Sequence, residues 1–332
     1  GLFTVDSVSG VIVVSTGATI DAEVQSSYTL TVTATDQGTP ALSSTSVVVV
    51  TVNDVNDNTP AFVQSGGYSF SVLENSATGT SVGTVAATDA DISNPNNAVS
   101  FSIVGGNTGS VFSVGSSSGV VSVAGALDFE TTASYSLTLH VQDGGSPSLT
   151  STVAVTVSIG DVNDNAPVFS STAYTASVVE NSATGTSVTT LSATDADATT
   201  NAELSYSLVS GHNGKFSVDA TSGVVSVAGS LDRETVASYT VVVKVVDNGT
   251  PSLSSTSQLS VTVLDVNDNA PVFSSASYSQ SITENSAAGT TVGTIGATDA
   301  DLSGTAAATI VYSISGGNST GDEIGRASCR ER

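Results

Sequence analysis

Apolar and polar positions alternate along much of this chain. Tyr135, Leu137, Leu139 and Val141 stand every second residue, as do Val153, Val155, Val157 and Ile159. The pattern returns at Tyr239, Val241, Val243 and Val245, and again at Leu259, Val261 and Val263. A period of two marks strands that bury one face. Clusters of Gly, Pro, Asn and Asp punctuate these runs, and no stretch carries a convincing helical period. Several short strands separated by turn signals predict an all-β sandwich or barrel.

The pattern is also copied at long range. Val-Asn-Asp-Asn-(Thr/Ala)-Pro-(Ala/Val)-Phe occurs at 55–62, 162–169 and 266–273, and Glu-Asn-Ser-Ala at 74–77, 180–183 and 284–287. Thr-Asp-Ala-Asp opens at 88, 194 and 298, Asp-X-Glu at 21, 128 and 232, and an Asp-X-Gly-X-Pro turn at 36, 143 and 247. A spacing of about 105 residues is one domain per period, far longer than a solenoid repeat. The units expected are 1–58, a C-terminal half repeat; 59–165 and 166–269, two whole repeats; and 270–322, an N-terminal half repeat. Half repeats lack strands, so their apolar faces and backbone groups are expected to stay open. The aromatics follow the same period. Of eight Tyr and nine Phe, all but Phe70 and Phe129 fall at equivalent positions, which assigns them to the core.

Residues 323–332, EIGRASCRER, break the register: a core Phe is due near 323, where Glu323 stands. They are expected to be a non-native tail. The chain starts in mid-pattern without Met, so it reads as an internal piece of a longer protein.

Charge narrows the chemistry. Thirty Asp and Glu against six Lys and Arg give −24, while 39% of residues are apolar, enough for a packed core. Nucleic acid and anionic membrane surfaces are poor partners for so few basic residues, and cations are favoured. The single cysteine, Cys329, cannot form a disulfide within the chain. Apart from Asp6, Glu203, Asp219, Asp322, Glu323 and Glu331, every acidic residue lies in one of the repeated motifs. Each motif alone is ordinary turn chemistry. Recurring together around each boundary, without His or Cys, such oxygen donors select Ca²⁺ over zinc or copper. His140 and His212 do not recur and have no convergent partners, which argues against an enzyme.

The ordered set Glu-Asn, Asp-Ala-Asp, Leu-Asp-X-Glu, Asp-X-Gly-X-Pro and Asp-Val-Asn-Asp-Asn-Ala-Pro-Val-Phe resembles the extracellular cadherin repeat, in its protocadherin and Fat-like form, over residues 1–322. The resemblance implies tandem seven-strand Greek-key β-sandwiches (Ig-like) with three calcium ions at each complete junction. Carried over by position, the middle ligand set is Glu74, Asp128, Glu130, Asp161, Asn163, Asp164, Asn165, Asp195, Asp197 and Asp247, with a carbonyl near Asn201. The third is Glu180, Asp232, Glu234, Asp265, Asn267, Asp268, Asn269, Asp299 and Asp301, lacking an Asp-X-Gly partner. The first is Asp21, Glu23, Asp54, Asn56, Asp57, Asn58, Asp89, Asp91 and Asp143, with a carbonyl near Asn96 or Asn97 and no Glu-Asn glutamate. Only the middle set is complete. Where the family's Asp-Arg-Glu is kept at Arg233, Ala22 and Phe129 stand in the other copies, and calcium binding is expected to persist there.

The function this implies is calcium-dependent cell–cell adhesion, homophilic or heterophilic, through other cadherin-like ectodomains. The parent protein would be membrane-anchored at the cell surface, with the repeats extracellular. Millimolar-range calcium modules suit that compartment, as do the sequons Asn248-Gly-Thr and Asn318-Ser-Thr. The alternatives are a calcium-dependent carbohydrate-binding module, which needs an exposed aromatic platform, and a stalk module of a surface adhesin.

Overall fold

The computed structural model describes residues 1–302 and 304–316, and the backbone of 327–331. It divides into two units, Gly1–Val162 and Asn163–Arg332. Each holds one complete sandwich together with strands of a partial repeat.

In the first unit, Tyr68–Leu73, Thr150–Gly160, Ser134–Gln142 and Ser100–Gly105 form a four-stranded sheet in that spatial order. Tyr68–Leu73 runs parallel to Thr150–Gly160, and the other pairings are antiparallel. The facing sheet is Phe112–Val114, Val120–Val123 and Ser81–Thr84. The alternating residues fill the space between the sheets: Leu137, Leu139, Val141, Val155 and Val157 are fully enclosed. The second unit repeats the arrangement. Ala173–Val179, Ser254–Leu264, Ser238–Asp247 and Leu204–Ser210 form one sheet, and Ser187–Thr190, Val224–Val227 and Phe216–Val218 the other. Val241, Val243, Val245, Leu259 and Val261 are its enclosed centre. Seven principal strands in two sheets per copy make the fold the expected all-β tandem sandwich.

The recurring aromatics are recurring contacts. Phe112 meets Tyr135 edge-on at 5.1 Å between ring centroids, Phe216 meets Tyr239 at 5.2 Å, and Phe3 meets Tyr28 at 5.2 Å. A second set joins Phe62 to Tyr68, Phe169 to Tyr174 and Phe273 to Tyr278. The tyrosine hydroxyls of this set donate to the carbonyls of Ala86, Ser192 and Gly296, so each apolar ring keeps its polar end paired.

In the first partial repeat each sheet is reduced to two strands, Phe3–Val5 with Ile12–Val14 and Ser27–Thr35 with Ser43–Thr51. Leu30 and Val48, counterparts of enclosed Leu137 and Val155, are only half-buried. Residues 278–283, whose counterparts 174–179 pair with Ser254–Leu264, form no strand because their partner has no equivalent here. Of the tail, 323–326 and 332 lie outside the described residues, while Ala327–Glu331 pairs antiparallel with Ile310–Ile314. In the complete repeat the equivalent edge, Ser100–Gly105, is taken by Ser134–Gln142. An open edge accepts any extended segment, whether or not its sequence belongs to the repeat.

Phe70, outside the aromatic pattern, has its own accommodation. A Cβ on Gly83 would stand 2.4 Å from the Phe70 ring. The equivalent pair in the next copy is Ala176 with Thr189, and in the last Gln280 with Gly293, where a Cβ would meet the Gln280 side chain at 2.4 Å. Large side chain and glycine therefore go together. Gly83→Thr is expected to lower stability by about 1–3 kcal/mol in urea unfolding, as overpacking does. In a Phe70→Ala background the same substitution should cost far less, since that pair already exists in the neighbouring copy.

Candidate metal centres at the repeat boundaries

Three local devices recur at the boundaries. The first is a buried glutamate clamp. Glu74 is buried, and its two carboxylate oxygens accept from the Phe129 N–H at 2.7 Å and the Val162 N–H at 2.8 Å. Glu180 does the same for the Arg233 and Val266 N–H groups, both at 2.7 Å. One side chain thereby holds the Asp-X-Glu loop and the start of the linker together. The Glu-Asn pairing has a backbone reason as well, because Asn75, Asn181 and Asn285 take the left-handed conformation that Asn tolerates.

The second device is the Asp-X-Gly turn. Asp143 is buried and accepts from the Gly145 and Leu149 N–H groups, and Asp247 accepts likewise from Gly249 and Leu253. The linker asparagine caps this turn. Asn56 donates its amide to Asp143 at 3.2 Å and to the Pro147 carbonyl at 2.7 Å; Asn163 donates to Asp247 and Pro251 at 3.2 and 2.6 Å. Glycine is required because a Cβ at Gly145 or Gly249 would lie 2.1 or 2.2 Å from that asparagine side chain.

The third device is the Asp-Ala-Asp loop. Asp91, Asp197 and Asp301 are buried, and in each one oxygen accepts the side-chain amide of Asn58, Asn165 or Asn269. The preceding Asp89, Asp195 and Asp299 accept the N–H of the second aspartate at 2.9–3.1 Å. Burial, reinforced by the neighbouring Asp91 and Asp143 charges, pushes the Asp89 carboxyl above its ordinary value. Burial, with Asp197 and Asp247, does the same to Asp195.

These devices gather carboxylates. In the first unit, ligand oxygens of Glu23, Asp57 and Asp91 lie within 4.8 Å of one another, as do those of Glu74, Glu130 and Asp161. In the second unit, Glu180, Glu234 and Asp268 form one such group and Glu234, Asp265 and Asp301 another. Like charges about 4 Å apart repel by roughly 1 kcal/mol in water and about 4 at an effective dielectric near 20. The first cluster shows how the repulsion is met. Glu23 and Asp54 share a hydrogen bond that raises Glu23 to about 7, while the Ser93 hydroxyl and the Asn96 amide hold Asp54 down to about 2.

Not every predicted ligand points into a cluster. Asp21 accepts from the Glu23 and Val24 N–H groups of its own turn. Asp128 and Asp232 accept from the N–H and hydroxyl of Thr131 and Thr235. Asn96 contributes its side-chain amide, at 2.9 Å from Asp54. Asn201 sits in the short 3-10 turn Thr199–Ala202. Asn267 lies in the linker beside Asp268. Of the sequons, Asn248 donates to Glu203, and Asn318 lies outside the described residues.

The donor set fits calcium. Buried oxygens of Asp89, Asp91, Asp299 and Asp301 have no hydrogen-bond partner, a costly state that a cation relieves. All are hard oxygen donors. Ligands 2.3–2.6 Å from one calcium ion lie at most about 5 Å apart, matching the observed groups.

Seven-strand sandwiches in tandem, with acidic oxygen clusters at their boundaries, define a calcium-dependent Ig-like repeat protein. The chain matches the Cadherin domain family over residues 1–53, 68–160 and 174–264, and it belongs to that family, which is not one of enzymes. It is 41% identical to human "Protocadherin Fat 1" over 305 residues, covering 91% of this chain and 7% of that protein. It is 42% identical to mouse "Cadherin EGF LAG seven-pass G-type receptor 2" over 320 residues, 95% of this chain and 11% of that one. Among solved structures, a mouse Cadherin-23 EC22-24 fragment superposes with TM-score 0.71 at 35% identity, covering 80% of this chain and 83% of the fragment. The Protocadherin gammaB7 EC3-6 cis-dimer structure gives 0.80 at 32% identity, covering 95% and 77%. The chain thus spans about a tenth or less of the long relatives it matches.

The glutamate clamp yields a direct expectation. Glu180→Gln keeps the shape and removes the charge and one acceptor. Amide exchange at Val266 and Arg233 should accelerate in calcium-free buffer, by an amount corresponding to roughly 1.5–3 kcal/mol for each charge-assisted bond lost. Unchanged protection would show that the clamp carries no weight.

Proposed function

We infer that this chain is part of an extracellular, cell-surface ectodomain that mediates calcium-dependent cell–cell adhesion, and that calcium at its repeat boundaries sets the ectodomain's mechanical state. The observation that carries the reading is the group Glu234, Asp265 and Asp301. It draws one carboxylate from the loop of a complete repeat, one from the linker and one from the next repeat, and leaves a buried oxygen of Asp301 without a partner. The three ligand sets given above are its proposed calcium sites, and 59–165 and 166–269 its proposed complete repeats. Bound calcium supplies positive charge and multidentate oxygen coordination, and this chain's residues do the rest. Glu74 and Glu180 hold loop to linker, and Asn56 and Asn163 lock the linker to the following Asp-X-Gly turn.

Similarity to Fat-like protocadherins and to a protocadherin described as a cis-dimer supports other cadherin-like ectodomains as partners, homophilic or heterophilic. A carbohydrate-binding role finds no support in the aromatics, which pair with one another in the repeat cores. Among the described residues no helix is long and apolar enough to cross a membrane, so anchoring is assigned to the parent protein.

Chelation is expected to expose the linkers: limited proteolysis should cut near 160–166 faster, and small-angle scattering should show a broader distribution of dimensions. Restoring millimolar calcium should reverse both. Identical cleavage and scattering with and without calcium would remove the mechanical reading.

Asp301→Asn tests a single ligand. It retains the acceptor for Asn269 and removes a charge, so calcium affinity should fall by roughly tenfold or more by calorimetry, with the melting temperature in chelator little changed.

A further inference from the structure

The three copies of the Asp-X-Glu motif differ at their middle residue: Ala22, Phe129 and Arg233. Ala22 is buried, and Phe129 packs partly buried against the core of its sandwich. Arg233 behaves differently. Its Nε donates to Asp265 Oδ1 at 2.7 Å, and its Nη2 donates to Glu234 Oε1 at 2.6 Å. All three side chains are largely removed from solvent, at 12–18% exposure.

The two carboxylates that Arg233 engages are members of the acidic groups. Glu234 belongs to both groups of the second unit, and Asp265 to the one containing Asp301. Asp301 is 3% exposed, with one oxygen lacking any partner. The same linker aspartate in the first unit, Asp54, accepts from the Ser93 N–H and hydroxyl and the Asn96 amide and has no cationic partner, since alanine stands at the arginine's place.

Resting on the reading of these clusters as calcium sites, we propose that Arg233 is an internal cation that occupies Glu234 and Asp265 in competition with calcium, lowering calcium affinity at this boundary alone. A guanidinium cannot be released from its pair by deprotonation at any physiological pH. Calcium must therefore displace it or bind beside it. A single positive charge about 5 Å from a divalent ion costs on the order of a tenfold loss of affinity even at the dielectric of water. In exchange, the calcium-free cluster keeps one positive charge shared between two carboxylates. The boundary with arginine is thereby less dependent on calcium than the boundary with alanine.

The test is a calcium titration of the full ¹⁵N-labelled chain, read site by site. The Val266 and Leu302 amides, which donate to Glu180 and Asp265, report the arginine cluster. The Ser93 and Asn58 amides, which donate to Asp54 and Asp91, report the alanine cluster. Arg233→Gln should move half-saturation at Val266 and Leu302 to about tenfold lower calcium and leave Ser93 and Asn58 unmoved. Arg233→Ala should give the same shift, and Arg233→Lys should keep the wild-type value. Unchanged or weakened calcium response at Val266 and Leu302 in both charge-removing variants would overturn the proposal, because a merely structural arginine would loosen the site when removed. Absence of any calcium response in the wild-type chain would instead overturn the calcium reading on which it rests.

Discussion

Carboxylates closer together than water alone would tolerate are the constraint around which this molecule is arranged. At each boundary the backbone uses up part of their capacity: Glu180 serves two N–H groups, Asp247 serves its own turn, and Asp301 serves an asparagine amide. What remains is a set of gathered carboxylates, some of whose buried oxygens have no donor. Neutral hydrogen bonds orient these groups but cannot discharge them. A divalent cation can, and within each unit the sandwich is the frame from which the ligand loops leave.

That frame explains why the cores recur so closely. A ligand loop is only as well placed as the strands from which it leaves, and those strands are fixed by enclosed Leu and Val and by edge-on aromatic pairs. Asp143 and Asp247 leave the ends of Ser134–Gln142 and Ser238–Asp247, whose alternate residues form the cores. Stability and ligand geometry are therefore one property at these positions. A cavity made beneath the turn would be felt at the carboxylate.

Much of this was legible in the chain. Alternation gave the strands, because one-sided burial imposes a period of two. Recurrence gave the core, because each copy must solve the same packing problem. The acidic motifs pointed to calcium because oxygen-only donors at high density have few other uses. Three features were not legible. The pairing of Phe70 with Gly83 joins positions on different strands and appears only when the sheets are folded together. The threonines that engage Asp128 and Asp232 are local, and the Asp-X-X-Thr spacing at 128–131 and 232–235 could have signalled them. Arg233 was visible as a difference between copies, but its reach to Asp265 depends on the linker folding back beside the loop.

The variation among copies also has physical meaning. One boundary sets a guanidinium between Glu234 and Asp265, where the other has alanine and contact with Asp54 raises the Glu23 carboxyl. Both lessen the negative charge of a cluster. The most direct test is a crystal of this chain grown in millimolar calcium, with an anomalous difference map at long wavelength. Peaks are expected within coordination distance of Glu23, Asp57 and Asp91, and of Glu234, Asp265 and Asp301. A map with no peak at either group, in crystals that diffract well enough to place water there, would contradict the calcium reading.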